Sequence, residues 1–303
     1  MMENVKGENK MSDTNLSVIP ESLPTAAADV VNNLITKLSN AVGWIATPKG
    51  KKADMKIAVD TYINELEDAK INPLAKAALI SNARKSIKEY INQNDIIQMA
   101  MEQLGESANP EGVDDDWLAY FMDGAKNISS DHVKILWAKL LAGECENNGS
   151  VPKRLMQILL VMSEVDVRAF NTLCSFNVKY TKYHENIFLN YRGEKSELTA
   201  KYGINYMSVL NLELLGLIKY SPDGFVIFLN KSDDGDFLKI QHGNSIIRFC
   251  INNMDQIPIG NFTWSPVGNV LKELIVSEPA VDYAKYIKDF YFSKCFKDVE
   301  VIE

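Results

Sequence analysis

The chain has 303 residues, 46 % of them hydrophobic and 24 % charged, a composition typical of a globular protein with room for a sizeable core or two modest domains. The formal net charge is −8 and no third of the chain is basic, which argues against non-specific nucleic-acid binding through clustered Lys and Arg. Residues 1–17 are polar and no apolar run approaches roughly 18 residues, so neither a signal sequence nor a membrane span is expected. The cytoplasm is therefore the expected location.

The N-terminal region is predicted to hold a disordered arm and then an amphipathic helix. Residues 1–24 are polar and predict the arm, whereas residues 25–46 have apolar positions at helical spacing and a lysine cluster follows. Such a helix packs on its own protein or on another copy, which we favour, or it binds a protein target. It also fits an anionic membrane surface, over residues 26–56. The side chains predicted for membrane or partner contact are Leu34, Leu38, Trp44, Ile45, Lys49, Lys51 and Lys52.

Residues 53–104 are predicted to form long helices with a break at Asn72-Pro73, because the residue before a proline is pushed out of the helical region. Apolar positions recur about every four residues, with charges between them. Together with the amphipathic helix, residues 25–104 are predicted to form a helical arm. A helical hairpin or a coiled coil fits this pattern, and either form makes a partner or self-association plausible.

Residues 105–180 are predicted to form a compact helical bundle. Residues 105–116 are a loop, and Asp116 is the expected N-cap of the helix that begins at Trp117. In "ISSDHVKILWAKLLAGE", residues 128–144, apolar side chains fall at i, i+3, i+4, i+7 and i+8, which predicts one buried face. A further helix starts after Pro152, and Ser163 with Asp166 predicts a capping box at the start of the next.

Residues 181–303 are predicted to form a smaller α+β domain that resembles a winged helix. Residues 196–230 fit two helices followed by a hairpin that turns at Pro222-Asp223-Gly224. "IPIGNFTW" predicts a strand, Ser265 caps a helix, Pro279 opens a last helix, and "DVEVI" predicts an edge strand. The expected fold is thus mainly α, with long N-terminal helices and a compact helical bundle ahead of this domain.

The sequence predicts no catalytic residue, no metal ligand and no cofactor. His132 and Glu144 lie about 18 Å apart along one helix, so they have no shared role. The run Asp114–Asp116 is interpreted as capping and solvation, since adjacent acids point in different directions. The cysteines form no CxxC pair and are expected to be reduced, mostly buried thiols. The second helix of the winged-helix-like segment has no Arg or Lys before Lys219, which favours protein contact over DNA binding.

The block from Asp114 to Phe176 carries a family resemblance. It has a Trp after acidic residues, then Leu-Trp-Ala-x-x-Leu-Ala-Gly-Glu, then a Leu-rich helix before an Asp and a Phe. In these motifs it resembles the bacterial domain of unknown function 2806, over roughly residues 30–180 and weakly beyond. The residues of this structural motif are Trp117, Leu136, Trp137, Leu141, Gly143, Glu144, Asp166 and Phe170.

The resemblance implies no reaction. A weaker likeness, to the abortive-infection alpha family, shares the Trp-x-x-Leu-Leu-Ala helix and implies a role in defence against phage. We therefore expect a non-enzymatic bacterial protein that acts through contacts with a protein partner or as a homo-oligomer. The alternatives are a nucleic-acid-binding winged-helix protein, a peripheral membrane effector that uses residues 26–56, and a nuclease that uses Asp114–Asp116.

Overall fold

A computed structural model describes residues 25–47, 52–180, 185–187, 189, 202–228, 237–250, 256–275, 277–292 and 299–302. The described chain is mainly α, with small antiparallel sheets towards the C-terminus. It forms two compact units, residues 1–160 and 161–303. The predicted disordered arm, together with Lys49 and Lys51, lies outside the described residues.

The N-terminal unit is helical in its described part. Its elements are α1 (Thr25–Val42), α2 (Lys52–Asp68), α3 (Pro73–Met101), a 3-10 turn (Pro110–Gly112), α4 (Asp115–Ala125), α5 (Asp131–Glu146) and α6 (Lys153–Val161).

Helix α1 buries its apolar stripe inside this unit. Leu34, Leu38 and Trp44 are all buried, and α1 packs on α4 and on the 3-10 turn. These three side chains are therefore core residues, and the prediction that they contact a membrane or a partner is corrected. Ile45 is 72 % exposed, so it alone of the four apolar side chains in that prediction lies at the surface. Lys52 begins α2.

The segment after α1 is held on α3 by polar side chains. Trp44 stacks on Tyr90 with ring centroids 6.5 Å apart. The Tyr90 hydroxyl donates to the carbonyl of Ile45, the Thr47 hydroxyl donates to Asn94 Oδ1 at 3.1 Å, and Gln98 Nε2 donates to the Thr47 carbonyl at 3.3 Å. These contacts hold the segment between α1 and α2 against the second half of α3.

Helices α2 and α3 form a helical hairpin, which is one of the two arrangements that the sequence left open, and the predicted break at Asn72-Pro73 is confirmed. Asn72 is the N-cap of α3, its side chain accepts a hydrogen bond from the backbone N–H of Leu74 at 2.9 Å, and Pro73 is the first helical residue. The second half of α3, from Asn92, packs on α4 and α5. The first half packs on α2. We call α2 together with residues 73–90 of α3 the α2–α3 hairpin.

The C-terminal unit combines helices with two antiparallel sheets. Its described elements are α7 (Glu164–Cys174), β1 (Asn177–Lys179), β2 (Glu185–Ile187), α8 (Tyr206–Leu214), β3 (Ile218–Phe228), β4 (Phe237–His242), β5 (Ser245–Cys250), β6 (Gln256–Trp264), α9 (Pro266–Leu274), α10 (Tyr283–Tyr286), a π-helical segment (Ile287–Phe292) and β7 (Val299–Ile302).

The larger sheet has the strand order β2-β1-β4-β5-β7, and its neighbouring strands are antiparallel. The predicted edge strand is confirmed, because β7 lies at the end of this order, beside β5. The predicted strand at "IPIGNFTW" is confirmed as β6. The predicted helix after Ser265 is confirmed as α9, with the Ser265 hydroxyl accepting from the backbone N–H of Gly268 at 2.9 Å.

The predicted hairpin around Pro222-Asp223-Gly224 is wrong. Residues 218–220 and 225–228 both pair with β6, so they are two halves of one strand separated by an irregularity. The Asn261 side chain donates to the carbonyls of Ser221, at 2.7 Å, and Pro222, at 3.1 Å. These bonds satisfy the bulged backbone, which explains how turn-forming residues fit inside a paired strand.

Two further boundaries differ from the predictions. The last helix begins at Tyr283 rather than Pro279, because Asp282 adopts a left-handed backbone conformation with φ 61° directly before it. The predicted domain boundary at 180/181 compares with a division between Leu160 and Val161. Helix α7 packs on α8, and the ring centroids of Phe170 in α7 and Trp264 are 5.5 Å apart. Helix α7 therefore belongs with the C-terminal unit.

Candidate functional site

The Trp137 side chain lies at the centre of an aromatic cluster in the N-terminal unit. It is fully buried, its ring centroid is 5.1 Å from that of Phe121, and Phe121 stacks on Trp117 at 5.4 Å. Trp117 Nε1 donates to the Val151 carbonyl at 2.8 Å. Trp137 Nε1 has no hydrogen-bond partner within the part of the chain that the structure describes. The Trp137 ring is thus enclosed by apolar surface, which places this part of the motif in the core.

Glu144 and His132 occupy different environments on α5. The Glu144 side chain is buried, and its carboxylate accepts hydrogen bonds from the backbone N–H groups of Gly149, at 2.6 Å, and Val151, at 2.9 Å. His132 is exposed near the start of the same helix. Glu144 therefore fixes the loop that leads to α6, and the structure does not bring these two residues together. The sequence predicted Glu144 as part of the motif but missed this contact.

The remaining motif residues also have structural roles, either in the core or at a helix N-terminus. Leu136 and Leu141 are buried on the same face of α5 as Trp137, and Gly143 is half-buried near its end. In the C-terminal unit the predicted capping box is confirmed: Asp166 Oδ2 accepts from the backbone N–H of Ser163 at 2.9 Å, and the Ser163 hydroxyl accepts from the backbone N–H of Asp166 at 3.3 Å.

The three consecutive acids have separate roles. The N-cap of α4 is Asp114 rather than the predicted Asp116, because Asp114 Oδ1 accepts from the backbone N–H of Trp117 at 2.8 Å. Asp115 forms an ion pair with Lys37 of α1, and Asp116 is exposed. In the described ranges no group of three or more His, Cys, Asp and Glu side chains is arranged to hold a metal ion.

A buried ion pair joins α3 to α5. Lys134 Nζ lies 2.8 Å from Asp95 Oδ2, and the two side chains are only 6 % and 11 % exposed. A charge buried to this extent requires its partner, since desolvation of an unpaired ion costs several kcal/mol. Sequence spacing gave no sign of this pair, because the two residues lie on different helices.

Sequence reasoning also missed a polar cluster around Asn177, in the C-terminal unit. The Asn177 side chain donates to Glu185 Oε2 at 2.7 Å and accepts from Trp264 Nε1 at 2.9 Å. The buried Lys272 side chain also donates to Glu185 Oε2. His242 Nδ1 lies 3.0 Å from the Asn177 carbonyl oxygen. The cluster borders a cavity of about 340 Å³ that also reaches Cys174.

Two side chains at this cavity have shifted pKa values. Burial alone would raise the pKa of Glu185, but hydrogen bonds from Lys272 and Asn177 and the charges of Lys272 and Lys179 outweigh it, so the pKa is lowered. Burial raises the pKa of the Cys174 thiol to about 12, against a smaller opposing effect of Lys272. Glu185 is thus held as a carboxylate, whereas Cys174 is held as a thiol and is a poor nucleophile near neutral pH.

We expect Cys145 and Cys174 to resist alkylation in the folded protein, because burial also raises the pKa of Cys145 to about 12. A raised pKa means that the reactive thiolate is absent at pH 8. Mass spectrometry after iodoacetamide treatment at pH 8, in a Cys250→Ser/Cys295→Ser background, should find both unlabelled, and both labelled in 8 M urea. Labelling of Cys174 in the native protein within the same time would contradict the structure and mark it as an accessible thiol.

The second helix of the predicted winged-helix-like segment offers little positive charge to nucleic acid. Helix α8 has no Arg or Lys, and Ser208, Val209 and Leu212 are buried.

None of the described helices is long and apolar enough to cross a bilayer.

Comparison with known proteins identifies one family. The family model described as "Protein of unknown function (DUF2806)" matches residues 81–288, which extend from the middle of α3 into the π-helical segment and include every residue of the motif. No curated protein and no solved structure matches significantly. Because the match covers more than half of the sequence, the chain belongs to the DUF2806 family.

Proposed function

We propose that this protein acts through contact with another protein molecule rather than by catalysis, and that it does so in defence against phage. The contact surface is the α2–α3 hairpin.

The observation that carries this proposal is the exposure of large apolar side chains on the hairpin. Leu74 is 80 % exposed, Ile57 is 64 % exposed and Tyr62 is 49 % exposed. A two-helix hairpin can bury only the faces that its helices turn to each other, and Ile63 is the buried side chain of α2 within its described part. Several large apolar side chains exposed to water on one element are typical of a surface that another protein covers.

The polar groups of the motif support the non-catalytic part of the proposal. Glu144 is occupied by two backbone N–H groups, and Asp114 by the cap of α4. In the C-terminal cluster, the Asn177 amide donates to Glu185 and accepts from Trp264. Lys272 and Glu185 form an ion pair. A general acid, base or nucleophile needs a free reacting atom next to space for substrate, and these groups serve the fold.

The phage-defence part rests on association. The Trp137-x-x-Leu140-Leu141-Ala142 helix and the Leu-rich helix after it resemble the abortive-infection alpha family, and family membership here brings no activity of its own. Nucleic-acid binding has weaker support, since α8 lacks basic residues. Membrane binding through residues 26–56 also has weaker support, since α1 buries its apolar stripe.

The test is a phage challenge of cells that express the protein. Wild type is expected to reduce plating for part of a phage panel, and Ile57→Asn/Leu74→Asn is expected to restore plating at least about ten-fold. Both substituted side chains are exposed, so we expect the variant to retain the fold.

The matched control replaces two equally exposed apolar side chains of the C-terminal unit, Leu214 (77 %) and Phe228 (79 %), by Asn. This control should protect as wild type does. Protection by the hairpin variant equal to wild type would refute the hairpin as the contact surface, and absence of wild-type protection across the panel would refute the defence role.

A further inference from the structure

Most charges of the α2–α3 hairpin are divided between its two helices, and the exceptions are Lys52 and Lys56 at the start of α2 and Glu89 in α3. In the last twelve residues of α2, Ile57–Asp68, there are four acidic residues and no basic one. In the first sixteen residues of α3, Pro73–Lys88, there are four basic residues and no acidic one. The acids are Asp60, Glu65, Glu67 and Asp68, and the bases are Lys76, Arg84, Lys85 and Lys88.

The two sets are also segregated along the hairpin. Glu65, Glu67 and Asp68 lie next to its turn, whereas Arg84, Lys85 and Lys88 lie at the far end of the packed part of α3. About eleven residues of helical rise separate the two groups within one hairpin, which is roughly 17 Å. Attraction over that distance is largely screened at physiological salt, where the Debye length is about 8 Å.

Among the residues that the structure describes, no ion pair joins the acids of α2 to the bases of α3. Lys85 faces Glu89 in its own helix at 3.8 Å, and Lys76 Nζ donates to the backbone carbonyl of Glu67. The six charged side chains named for the two groups are exposed, so the hairpin carries an excess of negative charge next to its turn and an excess of positive charge at its far end.

We infer that this surface binds the hairpin of a second copy of the chain, related by a two-fold axis perpendicular to the hairpin. A two-fold axis of this kind places the turn of one hairpin against the far end of the other. The acids beside each turn then meet the bases of the partner copy, and both contacts form at once because a two-fold interface is self-complementary. Four antiparallel helices result, which is a stable way to cover the exposed apolar side chains.

This inference rests on the proposed function, since it names the occupant of the surface proposed there. It differs from that proposal in requiring a second copy of this chain, whereas the proposed function requires only that some protein binds. Leu74 and Ile57, the most exposed of the large apolar side chains that the structure describes in α3 and α2, are the residues that the second copy would cover.

The test exchanges the charges of one helix at a time. An acid-reversed variant carries Glu65→Lys, Glu67→Lys and Asp68→Lys, and a base-reversed variant carries Arg84→Glu, Lys85→Glu and Lys88→Glu. Size-exclusion chromatography with light scattering should give a dimer for wild type. Each variant alone should be monomeric, with the dissociation constant raised roughly 100-fold or more, because like charges then face each other.

An equimolar mixture of the two variants is the decisive sample. In the heterodimer every reversed acid faces a reversed base, so the mixture should recover a 1:1 dimer. A chain carrying all six substitutions should dimerise with itself for the same reason, and circular dichroism confirms that each variant keeps its helices. For wild type, raising NaCl from 0.1 to 0.5 M should weaken the dimer.

Three results would overturn the inference: a wild type that stays monomeric at 100 µM, variants that dimerise as wild type does, or a mixture that remains monomeric while both components keep wild-type helicity. Salt-dependent binding of monomeric wild type to duplex DNA or to anionic vesicles would assign the bases of α3 to phosphate instead, and would overturn it too. If wild type is monomeric and Ile57→Asn/Leu74→Asn still abolishes protection, this inference is wrong and the proposed function stands. If the charge-reversed variants disrupt the dimer but still protect cells, the inference stands and the proposed function is wrong.

Discussion

Gly124→Ala is expected to destabilise the N-terminal unit by about 3 kcal/mol, although Ala is the better helix former by about 1 kcal/mol. Gly124 lies inside α4, directly against the Trp137 ring. A Cβ at this position would lie 2.2 Å from Trp137 Cη2 and 3.0 Å from Cζ3. Trp137 is fully buried and cannot retreat without displacing Phe121 and α5. Urea denaturation followed by tryptophan fluorescence measures the effect, since Trp44, Trp117 and Trp137 all belong to this unit.

The control for this prediction is a double variant. Trp137→Phe removes the ring atoms that the new methyl group would meet, so Gly124→Ala/Trp137→Phe should lose less free energy of unfolding than the sum of the two single variants. Helix propensity alone predicts that Gly124→Ala stabilises the protein. That result would contradict the close packing of the Trp137 ring against α4.

Lys134→Met is expected to cost about 3–5 kcal/mol, which is the usual penalty for removing one member of a buried ion pair. Asp95 would remain in the core between α3 and α5, where its carboxylate faces Lys134 Nζ at 2.8 Å. The same urea denaturation measures the loss.

A matched pair of variants separates this effect from loss of packing. Lys134→Met/Asp95→Leu leaves neither charge in the core and should recover part of the lost stability. Lys126→Met removes a surface ion pair that Lys126 forms with Asp123 at the end of α4. This variant should change the free energy of unfolding by at most about 1 kcal/mol. Equal effects of Lys134→Met and Lys126→Met would show that the Lys134 pair is not buried in solution.

The sequence predicted several local features correctly from short signals, although the predicted N-cap at Asp116 and the predicted helix start at Pro279 were wrong. The break at Asn72-Pro73, the Ser163–Asp166 capping box and the helix after Ser265 depend on neighbouring residues, and the structure confirms all three. The prediction failed at Pro222-Asp223-Gly224, where turn residues are overridden by a distant strand. Nothing near Ser221 announces that Asn261 will satisfy its carbonyl from β6.

The candidate sites illustrate the same limit. The sequence indicated that Trp137 belongs to a buried family motif, because helical periodicity places it on the apolar face. It gave no sign of the Asn177, Glu185 and Lys272 cluster. Its members come from β1, β2 and α9, and Glu185 and Lys272 are 87 positions apart in the sequence. Such contacts depend on the pairing of strands rather than on spacing along the chain. The Glu144 contact was missed for another reason: the loop that it binds looks like an ordinary turn in the sequence.

Amide hydrogen exchange of wild type at 1 µM and at 100 µM, read by mass spectrometry, tests most directly whether α5 is scaffold and the hairpin is contact surface. Peptides from α5 around Trp137 should exchange most slowly, and equally so at both concentrations. Peptides from α2 and the first half of α3 should exchange faster at 1 µM and become protected at 100 µM, as the second copy covers them. Rapid exchange in α5, or hairpin exchange that does not change with concentration, would contradict this account.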